Sequence, residues 1–121
     1  MSVVGGLDAV RERAWRGGRP ALLRTVYVEG SVLLKRDQHM VRAYAERGLR
    51  VSGASLELKD VRVVARRPGI VCLMMVDELG PLVARARGGG TLALPDDQPS
   101  RHLLELRREA GSWQIAAVWA R

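Results

Sequence analysis

The hydrophobic period of this sequence changes once, near Leu49, and that change constrains the fold more than any other feature. Before Leu49 apolar residues recur every three or four positions, as on the inner face of an α-helix. After it they alternate with polar residues, as on a strand with one buried face. Helices that precede a run of strands predict an α+β domain, with helices packed on one face of a strongly bent antiparallel sheet.

Glycine and proline mark the ends of the predicted helices, which fall within about residues 7–47. The first helix follows Gly6 and ends at Gly17, because glycine is the usual residue just beyond a helix. A second, short helix begins at Pro20, whose fixed φ suits a first turn. A third helix closes at Gly48.

Asp37 is the candidate N-cap of that third helix, since a carboxylate accepts the unpaired N–H groups of a first turn. Ser31 is a further position at which a helical turn could begin. His39, beside the apolar stripe of this helix, is expected at the surface or at the edge of the core.

The strands are expected within about residues 49–120 as an antiparallel meander. The stretch Ile70–Leu79 is apolar on both faces, so it should be a central strand that is covered twice. Residues 88–99 are expected to form a loop, and Ala110-Gly111 the tip of a hairpin. Alternation in the last strand places Trp113 and Trp119 on one face. The predicted core comprises Val10, Ala14, Leu22, Leu23, Val26, Met40, Tyr44, Val63, Leu73, Met75, Leu104, Leu106, Ile115 and Ala117.

Composition excludes several classes of protein. A chain of 121 residues fits one domain, 1–121. The single cysteine, Cys72, rules out an internal disulfide and a cysteine-based metal cluster, and its apolar neighbours indicate core packing. His, Asp and Glu show no metal-ligand spacing, so neither a metal nor a cofactor is expected.

The longest apolar run, residues 70–76, is far shorter than the ~20 residues of a membrane span. We expect a cytoplasmic protein or a soluble domain of a larger one, without a membrane partner.

The formal charge of +7 is spread evenly along the chain. Residues 1–60 carry a net +4 and residues 61–121 a net +3, and 18 of the 20 basic residues are Arg. A protein that binds nucleic acid usually shows a clustered basic face with aromatic platforms, whereas this chain has three Trp, two Tyr and no Phe. Nucleic acid is therefore an improbable partner, and a solvated basic surface is the simpler interpretation.

Two titratable groups at the strands are candidates for acid/base chemistry. Asp77 and Glu78 close the doubly apolar strand, and one of them must turn toward the covered side if the strand is regular. The turn at Gly80-Pro81 favours an exposed strand end instead. His102 shares a face with Leu104, so it is either a pocket base or a hydrogen-bonded histidine of the core or its rim.

Two segments together resemble a known superfamily. They are LDAVRERAW, followed by PALL and VYVEGS, and the terminal LELRREAGSWQIA. This pattern is similar to that of the NTF2-like superfamily (SnoaL-like, cystatin-type α+β). The particular residues of the two segments resemble those of actinobacterial members. The resemblance implies a cone-shaped fold with a pocket between the helices and the concave sheet face, and dimerisation through the sheet. It does not imply one activity, because fold does not fix function.

Three functions follow from the resemblance and the few titratable groups. The first is a non-catalytic, homodimeric binding or interaction domain, favoured by the scarcity of convergent acid/base groups. The alternative is a SnoaL-like isomerase, cyclase or dehydratase of a small apolar ligand. The weakest is a basic adaptor for an acidic partner. The catalytic candidates are His102, Asp77, Tyr27 and Tyr44, and the expected binding-pocket residues are Trp15, Met75, Leu104 and Trp113.

Overall fold

A computed structural model describes residues 3–53, 56–94, 98–109 and 111–120. Two α-helices come first, α1 (Val3–Gly17) and α2 (Val32–Glu46), joined by a 3₁₀ helix at Pro20–Thr25. Seven strands follow: β1 (Leu49–Ser52), β2 (Leu56–Arg67), β3 (Ile70–Leu79), β4 (Val83–Ala86), β5 (Thr91–Ala93), β6 (Ser100–Glu109) and β7 (Ser112–Ala120). The predicted α+β class is confirmed.

The strands form two antiparallel sheets, one of order β2-β3-β6-β7 and a smaller one of order β1-β4-β5. Strand β3 lies between β2 and β6, as expected of a strand that is apolar on both faces. The division occurs at Gly53 and Pro81, between β1 and β2 and between β3 and β4. Gly53 has φ +85°, and a Cβ atom there would collide with the Pro81 carbonyl oxygen. The two chain segments can therefore approach closely only because residue 53 is glycine.

The core has two buried clusters, which share the flanking residues Leu7 and Ile115. The first lies between the helices and β1: Ala14, Trp15, Leu23, Val26, Tyr27, Leu34, Val41 and Val51. The second joins the start of α1 to the large sheet: Val4, Leu73, Met75, Leu104 and Leu106. Helix α1 begins at Val3, one turn before the predicted start, because Val4 is buried in this second cluster.

Asp37 does not cap a helix, contrary to the prediction. Helix α2 begins at Val32, and the Ser31 side chain accepts the Leu34 N–H at 3.2 Å. This position makes α2 one continuous helix and places Asp37 well inside it, where it is buried. Met40, expected in the core, is 47% exposed because the inner face of α2 is formed by the positions of Leu34 and Val41.

Two further core predictions were wrong in the sheet. Val63 is 48% exposed because β2 is an edge strand that the helices do not cover. In β7 the pairing register shifts, so that Leu106 pairs with Ile115 but Glu105 pairs with Ala117. This β-bulge at Ala116 reverses the side-chain alternation of the last strand.

The bulge also separates the two tryptophans that were expected on one face. Trp113 and Ile115 face the helices and pack against the second core cluster. Trp119 pairs with Leu103 on the outer face of the sheet, and Ala117 joins it there. Within the segment predicted as a loop, residues 91–93 form the short strand β5. Residues 95–97 of that segment and Ala110 of the hairpin tip lie outside the described residues.

Candidate active site

A pocket of about 400 Å³ lies between the helices and the concave face of the large sheet; we call it the cone pocket. Its walls are mostly apolar, and its polar side chains are Asp8, Arg11, Tyr27, Asp77, Ser100 and His102. The apolar lining consists of Val4, Leu7, Val26, Leu33, Leu56, Met75, Leu79, Leu104, Ile115 and Val118. An apolar cavity with a few convergent polar groups is the usual form of a small-molecule site.

Asp77 and His102 form a hydrogen-bonded pair in this pocket, with 2.7 Å between His102 Nδ1 and Asp77 Oδ2. Strands β3 and β6 position them: His102 pairs with Met75, and Asp77 pairs with Ser100, so the two stand diagonally across one sheet face. Asp77 is 5% exposed, so the expected exposure of the strand end was wrong. Its neighbour Glu78 points to the opposite face, near Lys59.

The chemistry of the two side chains indicates which of them donates the hydrogen bond. A carboxylate accepts hydrogen bonds, and in the neutral imidazole the tautomer that donates Nδ1–H to Asp77 leaves the lone pair on Nε2. The buried carboxylate fixes the orientation of the ring and stabilises the imidazolium that would form on protonation. The arrangement can accept a proton at Nε2 and return it.

A second polar cluster forms the wall behind the pocket, and Asp37 is its centre. Its carboxylate accepts hydrogen bonds from Arg11 Nε at 2.7 Å, Trp15 Nε1 at 3.1 Å and Tyr27 Oη at 2.8 Å. A second bond from Arg11, at 3.2 Å, makes the ion pair bidentate. The cluster ties α1, the segment after the 3₁₀ helix and α2 to a single carboxylate.

The surroundings of this cluster set the protonation of its members. Burial raises the pKa of Tyr27 above its ordinary value; Arg11 opposes this shift and Asp37 adds to it. Tyr27 therefore remains a hydrogen-bond donor to Asp37. Burial alone would lower the pKa of Arg11, but Tyr27 and Asp37 more than reverse that effect, so the pKa of the guanidinium is raised. Arg11 thus stays protonated at the pocket wall, where Asp37 balances its charge.

The structure brings some of the predicted site residues together and separates others. His102, Asp77 and Tyr27 line the cone pocket, as do Met75 and Leu104. Three others do not line it. Trp15 belongs to the Asp37 cluster, and Tyr44 packs edge-on against it, with ring centroids 5.6 Å apart, in the first core cluster. Trp113 lines a different groove, of about 440 Å³, near the turn between β2 and β3.

Arg11 and Asp8 were not recognised from the sequence. Leu7, Arg11 and Trp15 are four residues apart and so share one face of α1, which was the available signal. Asp8 accepts the N–H of Leu56 at 2.9 Å, a contact across 48 residues that no local pattern indicates. His39 is exposed on α2, away from the pocket.

Within the described residues, no group of three or more His, Cys, Asp and Glu side chains could hold a metal ion. None of its helices is long and apolar enough to cross a membrane.

Solved structures of the same architecture provide the comparison with known proteins. The intermembrane space region of the chloroplast protein ARC6 superposes with a TM-score of 0.63 at 15% identity, over 98% of this chain and 90% of that one. Aln2 from a Streptomyces species gives a TM-score of 0.60 at 16% identity, over 98% and 86%. A protein with a cystatin-like fold from Caulobacter vibrioides gives 0.55 at 10% identity, over 98% and 85%.

These likenesses are all below 25% identity and therefore concern the fold. No family model matches the sequence, and no curated protein is significantly similar to it. The chain has the NTF2-like, cystatin-type α+β fold that its helical segments and terminal hairpin resemble.

Proposed function

We propose that the cone pocket binds a small, mostly apolar molecule and that His102 moves a proton on it, as in an isomerase, cyclase or dehydratase. The observation that carries this proposal is the 2.7 Å bond between His102 and Asp77 inside an apolar cavity. A general base acts only on a substrate within its reach, and here the base and the space for a substrate lie in one pocket. The scarcity of convergent titratable groups, which favoured a non-catalytic domain, does not apply to this cavity.

Arg11 and Tyr27 complete the proposed site. Removal of a proton next to a carbonyl group leaves negative charge on oxygen, which positive charge and N–H donors stabilise. Arg11 lines the same pocket and uses only part of its donor set on Asp37. We assign Arg11 to charge stabilisation and Tyr27, through its bond to Asp37, to holding the wall in place.

Hydrogen–deuterium exchange tests the proposal without knowledge of the natural substrate. A panel of cyclic ketones is incubated in D₂O with the protein, and loss of the protons next to the carbonyl is followed by NMR. We expect the wild-type protein to accelerate exchange of the ketones that bind, and His102→Gln to reduce that rate about 100-fold. His39→Gln, which removes the other histidine, should leave the rate unchanged.

Ketones that bind without accelerated exchange would contradict catalysis and favour a second candidate, an interaction domain that forms a homodimer. A specific feature supports this candidate. Met74, Leu103 and Trp119 form one apolar row across three strands on the outer face of the sheet. Trp119 is 44% exposed in the single chain, and a second copy seated on this row would remove it from water.

A further inference from the structure

Arginines gather beside the small sheet, although the charge is even along the sequence. A groove of about 550 Å³ runs between the C-terminal end of α1 and strands β1 and β4. Arg16, Arg50, Arg85 and Arg87 line it; we call it the arginine groove. Its remaining lining residues, Gly48, Ser52 and Ala86, are uncharged, so no carboxylate belongs to the described lining.

Strand pairing holds two of these arginines against each other. Arg50 on β1 is directly opposite Arg85 on β4, and like charges in that position destabilise a sheet. The adjacent pair, Val51 and Ala84, is buried. A shift of register by one residue would bury the arginines instead, so the core keeps both guanidinium groups on the groove side.

Neighbouring groups contact two of these arginines, Arg50 and Arg16, without neutralising the groove. The Arg50 guanidinium lies against Gly18 at the end of α1, where a Cβ atom would stand 2.7 Å from it. The partial negative charge of a helix C-terminus attracts such a group but does not cancel its charge. Arg16 forms an exposed 3.4 Å ion pair with Glu12, and such surface pairs contribute little to the free energy of folding. Among the described residues, no ion pair involves Arg50, Arg85 or Arg87.

We propose that the arginine groove is a binding site for a phosphate-bearing small molecule, separate from the cone pocket. Guanidinium groups present forked N–H donors that match the oxygens of a phosphate, and one multiply charged anion would relieve the repulsion between Arg50 and Arg85. The groove volume falls in the range of small-ligand sites, roughly 300–1,000 Å³. The described lining contains no aromatic side chain for base stacking, which disfavours single-stranded nucleic acid.

The turn beside the groove leaves the site open. Arg87 is followed by Gly88, Gly89 and Gly90, and a Cβ atom on any of these three glycines would meet nothing within 4 Å. This turn therefore adds no side chain to its part of the rim, and Arg85 and Arg87 are exposed to solvent.

Inorganic pyrophosphate is the probe for this site. A ligand that binds only the folded state raises the midpoint of thermal unfolding. We expect a saturable rise with pyrophosphate at constant ionic strength, and one-site binding by calorimetry. Arg50→Gln with Arg85→Gln should weaken binding about tenfold or more, because charged hydrogen bonds are lost. Arg36→Gln with Arg42→Gln, two exposed arginines of α2, removes the same charge elsewhere and should leave binding intact.

Three results would overturn the proposal. They are the absence of saturable binding, an equal loss in the control variant, and single-stranded DNA that binds more tightly with length and is not displaced by pyrophosphate. Arg87→Gln, on the exposed turn, provides a second variant should the double variant unfold, and it too should weaken pyrophosphate binding. The ketone exchange rate is an independent readout of the cone pocket, so either proposal can fail alone.

Discussion

At the scale of single residues, one buried carboxylate organises the helical half of the protein. Asp37 is 6% exposed and accepts bonds from three side chains that lie 10, 22 and 26 residues away. A buried charge is tolerated when it is paired and its lone pairs are used. Asp37 was predicted to be an N-cap because Asp is common at that position; the buried donors around it were not visible from its neighbours in sequence.

The raised pKa of Tyr27 predicts a loss of stability in alkali. The folded protein holds the phenolic proton more tightly than the unfolded chain, whose pKa is near 10. The resulting stabilisation is complete below that pH and is lost as the pH rises above it. We expect the free energy of unfolding, from denaturant titrations between about pH 8 and pH 11, to fall above pH 10.

Tyr27→Phe should remove the part of this decline that depends on the phenolic proton, whereas Tyr44→Phe should keep it. An unchanged decline in Tyr27→Phe would show that another group is responsible.

At the scale of elements, two local departures from regular strand geometry shape the sheets. The bulge at Ala116 turns Trp119 to the outer face, and the bend at Gly53 and Pro81 divides the strands into two sheets. Gly53 was recognised from sequence as a bulge or bend, since an isolated glycine in a strand pattern indicates one. The bulge at Ala116 has no comparable signal, because alanine is compatible with either register.

Gly53→Ala should destabilise the protein strongly. Alanine would combine a positive φ with a collision against the Pro81 carbonyl, so we expect a loss of about 2 kcal/mol or more in the free energy of unfolding. Gly69→Ala is the matched control: its φ is +72°, but a Cβ there meets nothing within 4 Å, so only backbone strain of about 1 kcal/mol should appear. Equal losses in urea titrations would show that the close approach is unimportant.

At the scale of the whole molecule, the fold has three surfaces with different chemistry. The concave face holds the cone pocket, the outer face presents the apolar row of Met74, Leu103 and Trp119, and the small sheet carries the arginine groove. The first two were anticipated in outline from the resemblance to NTF2-like proteins. The third differs from what the sequence suggested. The charge is spread evenly along the chain, whereas the folded surface brings four arginines together in one groove.

The outer face predicts the oligomeric state. If a second copy covers the apolar row, Trp119→Arg should convert a dimer into a monomer, because a charged side chain would be buried without a partner. Sedimentation velocity over a range of concentrations measures this change. Val32→Arg, at a residue of α2 that is 69% exposed, should leave the dimer intact. A wild-type protein that stays monomeric at high concentration would refute the homodimer.

The sequence by itself determined the order and type of the elements, the central position of β3 and much of the core. These properties follow from hydrophobic periods and from glycine and proline positions, which are local and can be recognised from short stretches of sequence. Only the tertiary structure decided which chemical groups meet. Asp77 joins His102 across 25 residues through the register of β3 with β6, and Arg50 faces Arg85 across 35 residues through the register of β1 with β4. A register is a non-local property, because it depends on which strands pack side by side. The site can therefore be recognised only in the folded chain.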